Sequence, residues 1–210
     1  PGEREVDQAF QNFIEAFPQA RRQRLADTRQ AFDAVVGQGG SGHLDLLAEA
    51  APNHAGHFLT RAREGAYNGT AFHRVIPNGI IQGGDPLSKD PGKRDQYGTG
   101  GLKELRFEAN AEKHTRGAVS AVLVPGNKDS AGAQFFICVS DQPGLDGQYT
   151  VFGRLVEGES VLLEIAKVKT DHESPCPQCS KEVDPNGPSP CCGKHHSDRP
   201  KVDVVIKRIT

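Results

Sequence analysis

A guanidinium and a carboxamide bracket an apolar run between Phe72 and Asp85, which reads Phe-His-Arg-Val-Ile-Pro-Asn-Gly-Ile-Ile-Gln-Gly-Gly-Asp. Arg74 stands near its start and Gln82 near its end, with Val75, Ile76, Ile80 and Ile81 between them. An arginine held beside an apolar surface, with an amide nearby, suits a neutral, amide-like ligand. Hydrolysis would need a nucleophile with its base, or a metal-bound water, and the segment spells neither. The alternative is a buried hairpin from which an arginine reaches solvent.

The elements that must position this stretch follow from periodicity. Val75, Ile76, Ile80 and Ile81 favour strands, and Pro77-Asn78-Gly79 breaks them as a turn would. Gly83-Gly84 predicts a sharp turn or a close backbone approach. Ala31–Val36 and His43–Leu47 read as two strands. Gly37–Gly42 between them fits the G-x-G-x-x-G spelling, but alternating residues and then Pro52 follow where a nucleotide-binding turn needs a helix, so a hairpin is the better account. Pro52 to Gly65 predicts a helix with Pro at its start and Gly at its end. Pro86 to Gly101 reads as a polar loop and Leu102 to Ala109 as a mixed segment. Further strands are expected at 117–124, 134–139, 149–152 and 202–209, with a second core helix at 159–168. Many short strands and two core helices suggest a mainly β fold, a closed antiparallel barrel with helices over its ends.

At the front, Val6, Phe10, Phe13, Ile14 and Phe17 recur at helical spacing, an amphipathic helix that Pro18 ends. Residues 1–29 are therefore expected to form a helical extension, and 30–210 the main domain. The extension either folds back on that domain or docks a protein partner.

The 210 residues carry a formal net charge of −2, with 36% hydrophobic and 25% charged residues. That balance points neither to nucleic acid nor to an anionic membrane. No apolar run has the length of a membrane span, and the first residues do not begin a signal peptide. The chain has no Met, so Pro1 is not expected to be the translational start.

Phe72-His-Arg-Val-Ile-Pro77, Ile81-Gln-Gly-Gly-Asp85, Ala133-Gln-Phe-Phe-Ile137 and Leu145-Asp-Gly147 with Val151-Phe-Gly153 together resemble the cyclophilin family of peptidyl-prolyl isomerases, in order and nearly in spacing. The resemblance runs from about Phe32 to the final strand. It implies an eight-stranded closed antiparallel barrel capped by two helices. It also implies a rotamase acting on X-Pro bonds in polypeptides and assisting their folding, with no cofactor for catalysis. Carried across by position, Arg74 matches the catalytic arginine and Gln82 the glutamine beside it, expected to help fix Arg74. Gln134 matches a substrate-contacting glutamine, Phe136 the aromatic floor of the proline pocket, and Ile80 and Leu145 apolar walls. Tyr149 stands where a histidine is usual, and the backbone near Leu123 matches the edge that pairs with bound peptide.

The departures are specific. Gly79 replaces a pocket phenylalanine, and Gly144 replaces the tryptophan that serves cyclosporin binding in the family. The loop from Pro125 to Gly132 reads longer than in typical members. His73 and His114 are treated as structural or surface residues, because bond rotation transfers no proton.

Where the family has a short loop, residues 171–200 form an insertion containing Cys176-Pro-Gln-Cys179 and Cys191-Cys192-Gly-Lys-His195-His196, with His172 just before. A C-x-x-C followed by a second Cys/His cluster has the spacing of a structural zinc site, with four ligands among Cys176, Cys179, Cys191, Cys192, His195 and His196. Two disulfides or a redox-active pair are the competing readings. Zinc would fit a reducing compartment such as the cytoplasm, and disulfides an exported protein. Cys138 reads as a small buried side chain. Against the enzyme stands a second class of function, a proline-binding module or accessory subunit that docks through the extension or the insertion.

Overall fold

The computed structural model describes residues 29–35, 40–171 and 198–209, with side chains from residue 40 onward. The amphipathic helix expected near the N-terminus and the Cys/His cluster lie outside these residues.

Among the described residues, nine strands make one sheet: β1 (Arg29–Val35), β2 (Gly40–Leu46), β3 (Ala71–Phe72), β4 (Arg74–Val75), β5 (Ile80–Gly83), β6 (Ala118–Ala121), β7 (Phe135–Cys138), β8 (Val151–Glu157) and β9 (Val204–Ile209). Their order in space is β3-β9-β1-β2-β8-β6-β7-β5-β4, and every neighbouring pair is antiparallel. The two ends of that order, β3 and β4, are consecutive in the chain with only His73 between them. The β1–β2 pair is a hairpin, with Ala34 opposite Gly40, so the glycine-rich stretch feeds a strand and not a helix.

Two α-helices of the described residues lie outside the sheet order, α1 (Pro52–Arg63) and α2 (Glu159–Ile165). Ala51 offers no capping side chain at the start of α1, yet the first-turn amides are satisfied from afar. The Glu108 carboxylate accepts from the Asn53 and His54 backbone N–H groups at 3.0 and 2.9 Å, and from the Asn53 side chain. A carboxylate there also complements the positive end of the helix dipole. Helix α2 ends three residues before the expected Val168, because Lys167 and Val168 donate to carbonyls only three residues back and tighten the last turn.

Strand β6 stops at Ala121, not Val124, and the Val122 N–H instead reaches the Gln134 carbonyl. Strand β8 runs from Val151 to Glu157, later and longer than expected, because Leu155 and Arg154 continue the pairing with β2. The loop after β5 contains two 3-10 turns, Pro86–Lys89 and Pro91–Gln96, which periodicity alone does not predict.

Alternation along the strands divides the apolar residues between two faces. Val75, Ile81, Val119, Phe135 and Ile137 join the main core with Phe58 of α1 and Leu162 of α2. Phe135 sits at its aromatic centre, with edge-to-face rings of Phe58, Tyr67 and Phe72 at 5.4, 5.7 and 6.1 Å. Phe136 and Cys138 point the other way, into a smaller cluster with Ala118 and Val151 that Ile80, Leu145 and Tyr149 partly cover.

Candidate active site

Register builds the site. Arg74 of β4 lies opposite Gln82 of β5, Gln82 opposite Phe136 of β7, and Phe136 opposite Ser120 of β6. Residues directly opposite share a face, so a cation, an amide and an aromatic ring stand in one row across three strands, on the face away from the main core. Arg74 is 48% exposed and Gln82 is buried, at 9%.

The amides are held as a chain. Gln82 Nε2 donates to Gln134 Oε1 at 3.1 Å, and Gln134 Nε2 donates to the Gly100 carbonyl at 2.7 Å. Asp85 fixes the loop that offers that carbonyl. Its carboxylate, fully buried, accepts from the N–H groups of Leu87, Gly98 and Gly100 at 2.8, 2.5 and 3.2 Å. A Cβ at Gly100 would fall 2.5 Å from Asp85 Oδ1, so the close approach requires glycine. Gly84 has φ +83 and would place a Cβ 2.7 Å from the Ala133 carbonyl, which accounts for the Gly-Gly predicted to turn or approach closely.

Phe136 is buried against two rings. His114 stacks on it at 5.9 Å and Tyr149 meets it edge-on at 5.4 Å. His114 is buried rather than at the surface, and Asp146 anchors it by accepting from its backbone N–H at 2.9 Å, with Nδ1 3.1 Å away. Those two hydrogen bonds, with Lys113 close by, pull the Asp146 carboxyl down to about 2. His73 is also buried, its Nε2 3.4 Å from Gln82 Nε2, and burial lowers its pKa to about 4. Burial pushes the Cys138 thiol up to about 12, as expected of an inert core cysteine.

One expectation needs correction. Gln82 is not the partner of Arg74, because its amide is spent on Gln134 and lies beside His73. Arg74 Nε instead donates to Asp198 Oδ2 at 2.9 Å, a residue 124 positions away that the motifs do not signal. Leu123, matched to the peptide-binding edge, turns its side chain into the main core. Its backbone has no hydrogen-bond partner among the described residues. Ile80, Leu145 and Tyr149 do assemble around Phe136.

Among the described residues no group of three or more His, Cys, Asp or Glu could hold a metal. Cys176, Cys179, Cys191, Cys192, His195 and His196 lie outside them. No described helix is long and apolar enough to cross a membrane.

Residues 32–184 match the model of the family described as cyclophilin type peptidyl-prolyl cis-trans isomerase/CLD. The peptidyl-prolyl cis-trans isomerase ppi1 of Schizosaccharomyces pombe is 38% identical over 128 residues, 61% of this chain and 80% of that protein. A peptidyl-prolyl cis-trans isomerase of Helicobacter pylori is 38% identical over 154 residues, 71% of this chain and 86% of that protein. Among solved structures, a cyclophilin type isomerase of Cryptosporidium parvum, crystallised in the presence of the dipeptide Ala-Pro, matches with a TM-score of 0.67 at 25% identity. The match covers 87% of this chain and 97% of that one. A family model spanning most of the chain, relatives at this identity and a shared mainly β fold make the chain a member of the cyclophilin-type peptidyl-prolyl cis-trans isomerases, and its activity is peptidyl-prolyl cis-trans isomerisation.

Proposed function

We propose that the row Arg74, Gln82 and Phe136 is where this isomerase rotates X-Pro bonds of polypeptide segments. The supporting observation is the register, which sets the arginine two strands from an aromatic ring walled by Ile80, Leu145 and Tyr149. The barrier to amide rotation, about 18–20 kcal/mol, comes from C–N double-bond character. Catalysis needs only tighter binding of the twisted amide than of either planar isomer. In the twisted state the prolyl nitrogen recovers a lone pair, to which the Arg74 guanidinium donates while staying protonated. Phe136, with Ile80, Leu145 and Tyr149, holds the proline ring. Gln82, its amide steadied by Gln134, lines the acyl side, and the unpaired backbone at Leu123 takes the extended peptide. A fixed donor beside an apolar, water-poor surface acts more strongly than the same donor in water. No cofactor enters this chemistry.

The test is prolyl exchange in a short X-Pro peptide by NMR, for the intact protein and Arg74→Ala. Fast exchange that collapses in the variant supports the assignment; equal rates in both would remove Arg74 from the mechanism.

We also read the sheet as a closed eight-stranded barrel in which β3 and β4 act as one strand. The His73 N–H donating to the Gln82 carbonyl at 3.0 Å supports this. Residues 1–29 are read as a separate helical extension and 171–200 as an insertion within the isomerase domain. The cysteines of the insertion are read as a structural zinc site on their C-x-x-C spacing, against disulfides or a redox pair. Metal content of the purified protein, with a thiol count before and after reduction, decides among the three.

A further inference from the structure

We propose that Asp198 is a positioning residue for Arg74, a role that rests on the catalytic assignment of Arg74 above. Asp198 lies outside the residues that match the family model, so the family's motifs do not supply it. Two contacts from this one residue reach the strand that carries the arginine. Its carboxylate accepts from Arg74 Nε at 2.9 Å, and its carbonyl accepts from the Val75 N–H at 2.6 Å. The carboxylate therefore sits at a fixed offset from the arginine backbone.

The segment bearing Asp198 is itself tied down. Pro200 bridges Thr170, the Asp171 N–H donates to the Arg199 carbonyl at 3.0 Å, and the Lys201 N–H donates to the Lys169 carbonyl at 2.8 Å. Arg94 donates to the Pro200 carbonyl and pairs with the Asp203 carboxylate. The Arg199 guanidinium lies 5.8 Å over the Tyr97 ring.

The geometry matters because Arg74 is half exposed on a two-residue strand, where a long side chain would otherwise sample many rotamers. Binding through Nε fixes the plane of the fork and leaves Nη1 and Nη2 with no hydrogen-bond partner among the described residues. Those are the donors that a prolyl nitrogen would meet. A carboxylate that holds the fork in place beforehand lowers the cost of aiming it in the transition state. The contribution then falls on kcat, since a planar substrate does not yet use that donor.

The experiment compares Asp198→Ala and Asp198→Asn with the intact protein and Arg74→Ala, measuring kcat and KM for a proline peptide and the NMR resonance of the Arg74 Nε–H. The main-chain bond to Val75 survives both Asp198 substitutions. Asp198→Ala is expected to lower kcat about tenfold with KM within twofold, and to shift or broaden the Arg74 Nε–H signal; Asp198→Asn falls between. If Asp198→Ala fails to fold, the asparagine variant decides by the same readouts. An Asp198 variant with a rate within twofold, beside an inactive Arg74→Ala, overturns the proposal and leaves the site assignment standing. A reduced rate with an unmoved Arg74 signal also overturns it, because the loss is then structural. Full activity in Arg74→Ala ends both readings together.

Discussion

Gln134 joins the row of Arg74, Gln82 and Phe136 to the loop behind it, accepting from Gln82 Nε2 at 3.1 Å and donating to the Gly100 carbonyl at 2.7 Å. It is 1% exposed, so neither bond is readily replaced by one to water. Replacing it with leucine keeps the volume and strands the buried Gln82 donor, at a cost of about 1–3 kcal/mol, and frees the half-buried Gly100 carbonyl. Gln134→Leu should therefore lower both thermal stability and kcat/KM. Because Gln82 and Gln134 work as one unit, the Gln82→Leu/Gln134→Leu double variant should lose clearly less activity than the product of the two single losses. Steady-state rates for the three variants check this; strictly multiplicative losses would show two independent contacts.

Phe135 and Phe136 are neighbours in sequence with separate duties. Phe135 points into the main core against Phe58, Tyr67 and Phe72, and Phe136 points to the other face against His114 and Tyr149. Phe135→Ala should cost about 3–5 kcal/mol of stability, as large-to-small changes in a packed core do. Phe136→Leu should cost about 1 kcal/mol yet raise the KM of a proline peptide about tenfold through loss of the flat ring. Denaturant melts and peptide titrations, run side by side, separate the two. A Phe136→Leu variant that binds peptide normally would take that ring out of the pocket.

The division between these two phenylalanines was legible in the sequence, because alternation along a strand requires consecutive residues to face opposite ways. So were the glycine–aspartate turn, the antiparallel β1–β2 pair and helix α1, each announced by local chemistry. The motifs single out Arg74, Gln82 and Phe136, although their alignment in one row depends on a register that single-chain periodicity does not fix. What escaped was non-local. Asp198 and Glu108 act on Arg74 and on helix α1 across 124 and 54 residues, and a lone carboxylate in a polar stretch carries no local signal of such a partner. His114 escaped for a related reason. An aromatic backing for Phe136 is a property of packing, and in the sequence it is one histidine in a polar run.

His73 makes stability depend on pH in a definite window. Burial holds its imidazole at about 4, below the ordinary 6.5, with Asp85 opposing the shift. The unfolded chain then binds the proton first as pH falls, so stability is lost from about pH 6.5 downward and levels off below about pH 4. Between pH 7 and pH 5 the expected loss is about 2 kcal/mol by linkage. His57 is also held below its ordinary value, mainly by burial, and adds to the same slope. The measurement is therefore a comparison of denaturant midpoints for the intact protein and His73→Asn at both pH values. The asparagine variant should show the shallower decline; parallel declines would mean that His73 takes up its proton equally in both states.

By the resemblance, Gly144 and Gly79 fall at the places of a tryptophan and a phenylalanine, and the two sites differ in what they can accept. A Cβ at Gly144 meets no atom within 4 Å, whereas one at Gly79 falls 2.8 Å from Ile76 Cγ2. Gly144→Trp should then leave stability within about 0.5 kcal/mol, as surface changes usually do. Gly79→Phe requires Ile76 to rotate and should be the more destabilising of the two. Gly144 lies in the 3-10 turn Pro143–Leu145, so an indole there extends the apolar wall that Leu145 begins. Cyclosporin, which the resemblance ties to a tryptophan at this turn, should bind Gly144→Trp at least tenfold more tightly than the intact protein, while Gly79→Phe alone gains less. Calorimetric titration of both variants checks the order. Equal affinity in the intact protein and Gly144→Trp would place the deficit elsewhere along the wall, with the paired change Gly79→Phe/Gly144→Trp as the next comparison.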